Sequence, residues 1–295
     1  MKRFTPRGLG WQPDLPDIRD FTHDTDKVSK VLARSRAFQA AAAHAPKKVD
    51  LAKWCSPIED QETIGSCTAQ AGVGLFEYYQ RRAYGEHLDG SRLFLYKATR
   101  NLLGWSGDTG AYLRSTMGAM RLFGVPPETH FPYDVDKYDD EPPAFCYAFG
   151  QSFKALTYYR LDPYGSTQPE VLARVKQWIA AGLPSMFGFT VYSSMWNVGG
   201  SGHIPYPQPG ESVEGGHAVV AVGYDDTLKI GSKKGALKIR NSWGTDWGDA
   251  GYGWLPYDYV LQGLADDFWS LVNAEFVDTG LFKEQPEWAH GEIVA

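Results

Sequence analysis

Residues 61–71 read QETIGSCTAQA, and this stretch carries more information about the fold than any other part of the chain. A helix is predicted over 68–84, and Gly65 and Ser66 form a tight turn that places Cys67 at or just before its first residues. Unpaired backbone N–H groups and the helix dipole favour a thiolate there, so that a thiol with an ordinary pKa of about 8.5 becomes a nucleophile at neutral pH. Taken alone, such a segment is more often a small buried cysteine at a helix start.

A second segment supplies a base for this thiol. Residues 215–224 read GGHAVVAVGY, which places His217 at the start of an apolar strand, directly after two glycines. Glycine at Gly215 and Gly216 allows another backbone and a substrate to approach closely. The other six histidines of the chain have no comparable setting.

A third segment, residues 241–248 with the sequence NSWGTDWG, ends the next predicted strand. Asn241 is expected to accept a hydrogen bond from one ring nitrogen of His217, which leaves the other nitrogen facing Cys67. Trp243 is expected to shield that hydrogen bond from water. A turn with core tryptophans explains this segment alone, but core packing does not explain all three segments together.

Together the three segments resemble the papain and cathepsin family of cysteine peptidases, in its bacterial branch. The family signature places histidine and asparagine far downstream of the nucleophilic cysteine, and here His217 and Asn241 follow Cys67 by 150 and 174 residues. The resemblance covers about residues 48–275. It implies a thiol-dependent endopeptidase that acts through a thioester, with Cys67 as nucleophile, His217 as base and acid, and Asn241 orienting the histidine.

The resemblance also implies the parts of a substrate cleft. Gln61, six residues before the nucleophile, matches the family's oxyanion-hole glutamine, which acts with the backbone N–H of Cys67. Gly110 precedes a helix predicted over 111–123, where the family has a glycine strip that binds the substrate backbone. Gly216 and Trp243 are likewise expected to line the substrate site.

The chain departs from the family pattern close to the nucleophile. Ile64 stands where the family usually has a disulfide-forming cysteine, so we expect that bridge to be absent, in agreement with a reducing compartment. Glu62 replaces a usual glycine and Thr68 a usual aromatic residue, which alters the packing behind the thiol. The pairing of Cys55 with Cys146 is open from the sequence, and we expect both to be reduced thiols.

The predicted fold is α+β and papain-like, with two lobes and the active site in the cleft between them. A helical lobe is expected over about 60–160 and a β-barrel-like lobe over about 161–275, within a peptidase domain that spans 46–295 and ends in a polar tail at 280–295. One further helix is predicted over 168–181. Strands are predicted at 185–192, 217–224, 236–241, 251–255 and 268–273.

Residues 1–45 are predicted to be a separate leader. They carry a formal charge of +3 and precede a body of −9. An extended arm around Trp11 and Phe21 is followed by a helix-forming stretch at 29–44 and a flexible, cleavable linker. The leader is shorter than the helical prodomain of cathepsins. We interpret it as an intramolecular inhibitor that keeps the enzyme as a zymogen, and a stabilising surface arm is the open alternative.

The composition is that of a soluble globular protein, with 295 residues, 43% hydrophobic and 22% charged. A net charge of −6 without a concentrated basic patch disfavours nucleic acid as a partner, and the absence of a run of about 20 apolar residues disfavours a membrane span. No metal or cofactor motif is present. The partners expected are peptide or protein substrates, and the protein is expected to be a monomer. No apolar segment follows the basic N-terminus, so the default compartment is the cytoplasm, with export by another route left open.

Two other functions remain open on the same residues. An exopeptidase or an amide hydrolase of the same fold would need a segment that blocks one end of the cleft, and only the loop at 197–216 and the tail at 280–295 qualify. His203, in that loop, would then bind a terminal carboxylate. A catalytically silent binding protein is disfavoured, because all four catalytic positions carry competent residue types.

Overall fold

The computed structural model describes residues 7–85, 87–153 and 157–272, and the predicted polar tail at 280–295 lies outside them. The helices are α1 (Asp26–Arg34), α2 (Arg36–Ala43), α3 (Cys67–Tyr84), α4 (Arg92–Leu103), α5 (Leu113–Leu122), α6 (Ala144–Gly150), α7 (Gln168–Ala180) and α8 (Asp258–Leu261). The strands are β1 (Lys48–Asp50), β2 (Thr157–Arg160), β3 (Ser185–Tyr192), β4 (Val213–Ile230), β5 (Lys233–Arg240), β6 (Tyr252–Pro256) and β7 (Ala265–Val272).

Helix α3 is the centre of the helical lobe and packs on α4, on α5 and across the lobe boundary on β4. It is buried on nearly all sides, as expected for a helix enclosed between two layers. Its close approach to the sheet depends on Gly74, where an added Cβ would lie 2.3 Å from a guanidinium nitrogen of Arg240. The helix ends at Gly85, whose φ of 72° lies in the left-handed region that glycine favours. None of the described helices is long and apolar enough to span a membrane.

The second lobe is built on one antiparallel sheet in the order β2-β7-β3-β4-β5-β6, with β1 added to β4. Strand β4 is central, and its register with β3 pairs Phe189 with His217 and Thr190 with Gly216. The predicted histidine therefore lies on the most enclosed strand of the sheet. Asn241 follows β5, the other neighbour of β4.

The α+β class agrees with the prediction, and several element boundaries differ. The helix-forming stretch predicted at 29–44 is covered by two helices, α1 and α2, because the Ser35 side chain caps the second helix by accepting from the Phe38 N–H. The predicted strand at 217–224 is the middle of β4. Helices α4 and α6 were not predicted, and β2 pairs with β7 although it precedes the predicted lobe boundary at 161.

The leader packs on both lobes. Helices α1 and α2 contact each other, and α2 packs on α7 of the sheet lobe. Val28 and Leu32 of α1 are buried in the main hydrophobic core. The arm before α1 crosses the cleft between the lobes.

Candidate active site

Cys67 is the first residue of α3 and is fully buried. The turn before it is held in place by Asp108, whose carboxylate accepts the Gly65 N–H at 2.8 Å. Ser66 precedes the helix as its N-cap residue, and its carbonyl accepts the Gln70 N–H. The thiol therefore lies where the sequence predicted it, at a helix N-terminus on the lobe boundary.

His217 and Asn241 lie together on the facing lobe. His217 Nε2 and Asn241 Oδ1 are 2.7 Å apart, and the same Oδ1 accepts the Ser242 N–H at 2.8 Å. Because Oδ1 acts as an acceptor, Nε2 carries the proton and Nδ1 carries the lone pair. Within the part of the chain that is described, Nδ1 is buried without a hydrogen-bond partner. The Trp243 ring covers the imidazole with centroids 4.5 Å apart.

Gln61 is buried beside these groups with its amide held in one orientation. Ser242 Oγ donates to Gln61 Oε1 at 2.7 Å, so the Nε2 donors point the other way. Tyr133 donates from its hydroxyl to the Gln61 backbone carbonyl at 2.8 Å. One Nε2 hydrogen bond goes to Ile64 O at 3.0 Å and the other to the leader, at Gly8 O at 2.9 Å.

Residues 8–12 of the leader lie in the cleft, and we call this segment the plug. Ala111 donates its N–H to Gly10 O at 2.8 Å and accepts the Gln12 N–H at 3.2 Å. On the other wall, the Trp11 N–H donates to Gly216 O at 3.1 Å. Beside Ala111, a Cβ on Gly110 would lie 2.0 Å from Gly10 O, and its φ is +70°. Gly110 and Gly216, both predicted to bind substrate, thus contact the leader backbone.

The Trp11 side chain fills a pocket in the sheet lobe and is only 7% exposed. A Cβ on Gly188 would lie 1.8 Å from the indole, and a Cβ on Gly216 would lie 2.8 Å from it. The indole Nε1 donates to Asp267 Oδ2 at 3.1 Å. The pocket exists because Gly188 of β3 and Gly216 of β4 have no side chains to fill it.

Burial determines the protonation of the two reactive groups. Burial raises the pKa of the Cys67 thiol to about 11, and backbone N–H groups of Ala218, Gly10 and Trp11 offset only part of that increase. Burial also lowers the pKa of His217 to about 4, against the opposing hydrogen bond to Asn241. With the plug in place, both groups are neutral at pH 7. The helix N-terminus therefore does not produce a thiolate in this state, because desolvation outweighs it.

Several residues that shape the site were not predicted. Ser242 lies inside the asparagine motif, and Asp108 lies two residues before Gly110, so both were close to a recognised signal. Tyr133 and Asp267 had no local signal, since each reaches the site only through the tertiary fold. All three cysteines are free, and Cys55 and Cys146 are buried thiols as expected. The described residues contain no group of side chains that could hold a metal ion.

Comparison with known proteins identifies the family. The sequence model of the family described as papain family cysteine protease matches residues 45–266. The solved structure of xylellain, a cysteine protease from Xylella fastidiosa, is 34% identical, with a TM-score of 0.72 over 92% of this chain and 98% of xylellain. A peptidase C1-like protein of Acanthamoeba polyphaga mimivirus is 32% identical over 281 residues, 90% of this chain and 86% of that protein. Cathepsin K of Gallus gallus is 30% identical over 222 residues, 72% of this chain and 59% of cathepsin K.

The family model spans well over half of the chain, and the likeness to xylellain covers 92% of it. These matches confirm the resemblance drawn from the three motifs and the two-lobed α+β fold. The chain belongs to the papain family of cysteine proteases.

Proposed function

We propose that this protease is a thiol-dependent endopeptidase with Cys67, His217 and Asn241 as its catalytic residues, held latent by the leader at residues 1–45. The observation that carries the proposal is the backbone of the plug, which hydrogen-bonds to Ala111 on one wall and Gly216 on the other. A cleft that holds an extended peptide in this way, against a buried thiol, is suited to a peptide substrate.

The chemistry follows from the groups that surround the thiol. Once the plug leaves, water reaches the site and the desolvation that keeps Cys67 and His217 neutral is relieved, so a thiolate–imidazolium pair forms. The thiolate attacks the scissile carbonyl, and the oxyanion is held by Gln61 Nε2 and the Cys67 N–H. His217 protonates the leaving amine and then activates water to hydrolyse the thioester.

Two features of the plug prevent its own cleavage. The plug groups that stabilise the thiolate form of Cys67 are the N–H donors of Gly10 and Trp11, the second of which also donates to Gly216 O, whereas attack requires a carbonyl carbon next to the sulfur. In addition, Gly8 O occupies a Gln61 Nε2 donor, so that donor is not available for an oxyanion. The plug therefore occupies the cleft as an inhibitor rather than as a substrate.

The leader is anchored on both sides of the plug. The Arg114 guanidinium pairs with Asp20 at 2.8 Å and with Asp14. Before the plug, Arg7 pairs with Asp60 at 2.7 Å. These contacts, together with the packing of α1 and α2, support an inhibitory leader over a surface arm, because the segment enters the cleft. We assign residues 46 onward to the peptidase domain.

The test compares the full-length chain with a chain that starts near Pro46, under reducing conditions, on fluorogenic peptide amides. The expected result is hydrolysis that is abolished by Cys67→Ala, blocked by an epoxide thiol inhibitor, and much faster without the leader. Equal activity of the two chains would refute the latency. Unchanged turnover by the Cys67→Ala chain would refute the catalytic assignment.

A further inference from the structure

The pocket that holds Trp11 has a polar end. Asp267 forms this end, and its side chain is completely buried. Its Oδ1 is engaged from within the sheet lobe, since it accepts from Trp269 Nε1 at 2.7 Å and lies 3.0 Å from a guanidinium nitrogen of Arg160, with which it forms an ion pair. Its Oδ2 accepts from the Trp11 indole of the leader. The hydrogen-bonding capacity of Oδ2 is therefore directed into the pocket.

The backbone at Asp267 supports this orientation. Its φ is 62°, in the left-handed region that aspartate and asparagine tolerate better than most residues. The Asp267 N–H donates to Asp162 Oδ2 at 2.7 Å, which fixes β7 at the point where its register with β3 shifts. Strain that persists inside a buried strand because surrounding bonds determine it is characteristic of functional sites.

The charges around the pocket favour a donor or a cation. Arg160 is 2% exposed and lies between Asp162 and Asp267. Asp266 adds a third carboxylate, and its Oδ1 is buried without a hydrogen-bond partner in the described part of the chain. Three carboxylates thus surround one guanidinium. A side chain that brings an N–H donor to Oδ2 reduces this excess of acceptors, and a hydrocarbon does not.

We propose that Asp267 is the specificity-determining residue of the cleft, and that its Oδ2 selects substrates whose side chain in this pocket is flat and ends in an N–H donor, an indole or a guanidinium. The inference rests on the proposed peptidase function. A substrate backbone that replaces the plug along Ala111 and Gly216 places a side chain where the Trp11 indole lies. A hydrocarbon side chain of equal size fills the pocket but leaves a buried oxygen unpaired.

The test uses the full-length Trp11→Ala chain, whose pocket is empty while the rest of the leader is retained. Fluorogenic peptides carry tryptophan or the isosteric 3-benzothienylalanine, which has sulfur in place of N–H, at each of the three residues before the scissile amide. A second pair compares arginine with norleucine. We expect a preference in kcat/KM of about tenfold or more for the donor at one position when the assay is run at about pH 8.5, where the Asp267 carboxyl is ionised, since a hydrogen bond to a charged group is worth that much.

The variant Asp267→Asn, which keeps the left-handed backbone accessible, should reduce that preference to about threefold or less. The matched control Asp225→Asn changes a carboxylate of β4 that pairs with Lys48, nine residues along the strand from Gly216, and should leave the preference unchanged. If the Trp11→Ala chain itself shows a preference below about twofold at every peptide position, the proposal is overturned. A preference that survives in the Asp267→Asn variant would overturn it as well.

Binding separates this proposal from the proposed function. Indole and benzothiophene are titrated into the Trp11→Ala chain and into the Trp11→Ala/Asp267→Asn chain. This binding experiment needs no turnover. Indole should bind about tenfold more tightly than benzothiophene in the first chain and equally in the second. Equal binding in the first chain, or no binding of either compound, would overturn the pocket assignment. If none of the peptides is hydrolysed but indole still binds selectively, the proposed peptidase function is refuted and the pocket assignment stands.

Discussion

Gly188→Ala should release the plug without disturbing the catalytic groups. The three atoms nearest to a Cβ at this position all belong to the Trp11 indole, at 1.8 to 2.4 Å. Gly188 lies within β3 and has no positive φ, so alanine fits the strand itself. The steric conflict is therefore confined to the leader, and the indole has to leave its pocket.

The size of the effect follows from what the plug loses. Removing a buried Phe or Trp side chain from a core costs about 3–5 kcal/mol, and loss of Trp11 packing should shift the docking equilibrium by a comparable amount, about two to four orders of magnitude. A thiol with a pKa of about 11 is only about 0.03% ionised at pH 7.5, against about 9% for an ordinary pKa of about 8.5. Both effects increase the reactivity of Cys67.

The assay is the rate of Cys67 alkylation by iodoacetamide at pH 7.5, with a Cys67→Ala chain to subtract the slow reaction of Cys55 and Cys146. We expect at least about a hundredfold increase for Gly188→Ala. Gly118→Ala is the matched control, since its Cβ would meet only Tyr158 Oη at 3.8 Å. An alkylation rate for folded Gly188→Ala equal to that of the control would refute the plug as the cause of the low reactivity.

Three further predictions concern the orientation of the oxyanion donor, the anchors of the leader and the buried carboxylate. Ser242→Ala frees the Gln61 amide to rotate and should lower kcat by about tenfold with little change in KM, measured on the leaderless chain. Arg114→Gln breaks half-buried ion pairs with Asp14 and Asp20 and should raise the alkylation rate only a few-fold, an effect that disappears in 1 M salt. Asp267→Asn should make denaturant unfolding less dependent on pH between pH 4 and 7.5.

The sign of the last prediction follows from the direction of the pKa shift. Burial raises the pKa of Asp267 to about 7, against the attraction of Arg160. The unfolded chain releases this proton near pH 4, so between pH 4 and 7 the folded chain binds more protons, and its unfolding free energy falls as the pH rises. Asparagine removes this loss, so the variant should gain stability relative to the natural chain as the pH rises, by up to a few kcal/mol. A difference in unfolding free energy between the two chains that stays constant from pH 4 to 7.5 would contradict the raised pKa of Asp267.

Much of the active site was predictable because its residues lie in short local motifs. Cys67 begins a helix whose first turn is predicted by residues 65–71, and His217 begins the buried part of an apolar strand. The prediction that Asn241 meets His217 relied on the adjacency of two consecutive strands. That adjacency is common in antiparallel sheets, where sequential strands usually pair.

The remaining features depend on contacts between distant residues. The bond from Trp11 to Asp267 joins residues 256 positions apart, and neither hydrophobic periodicity nor turn chemistry carries information at that range. The thiol pKa shows the same limit. The helix N-terminus at Cys67 was predicted from the sequence and favours the thiolate, whereas the desolvation that overrides it arises from burial in the folded chain, which the local sequence does not reveal.

For the proposed function, this distinction explains how one cleft could be both reactive and silent. The groups proposed for the chemistry lie outside the leader, and they are fully buried in the structure with the leader in place. The plug uses the hydrogen bonds of Ala111 and Gly216, the Gln61 donor and the Asp267 oxygen, all of which a substrate would need. Because the leader and the substrate compete for the same partners, a substitution in any of these residues should change inhibition and catalysis together. Gly188→Ala is the informative exception, since it excludes the indole and keeps the hydrogen bonds of Ala111, Gly216 and Gln61 available.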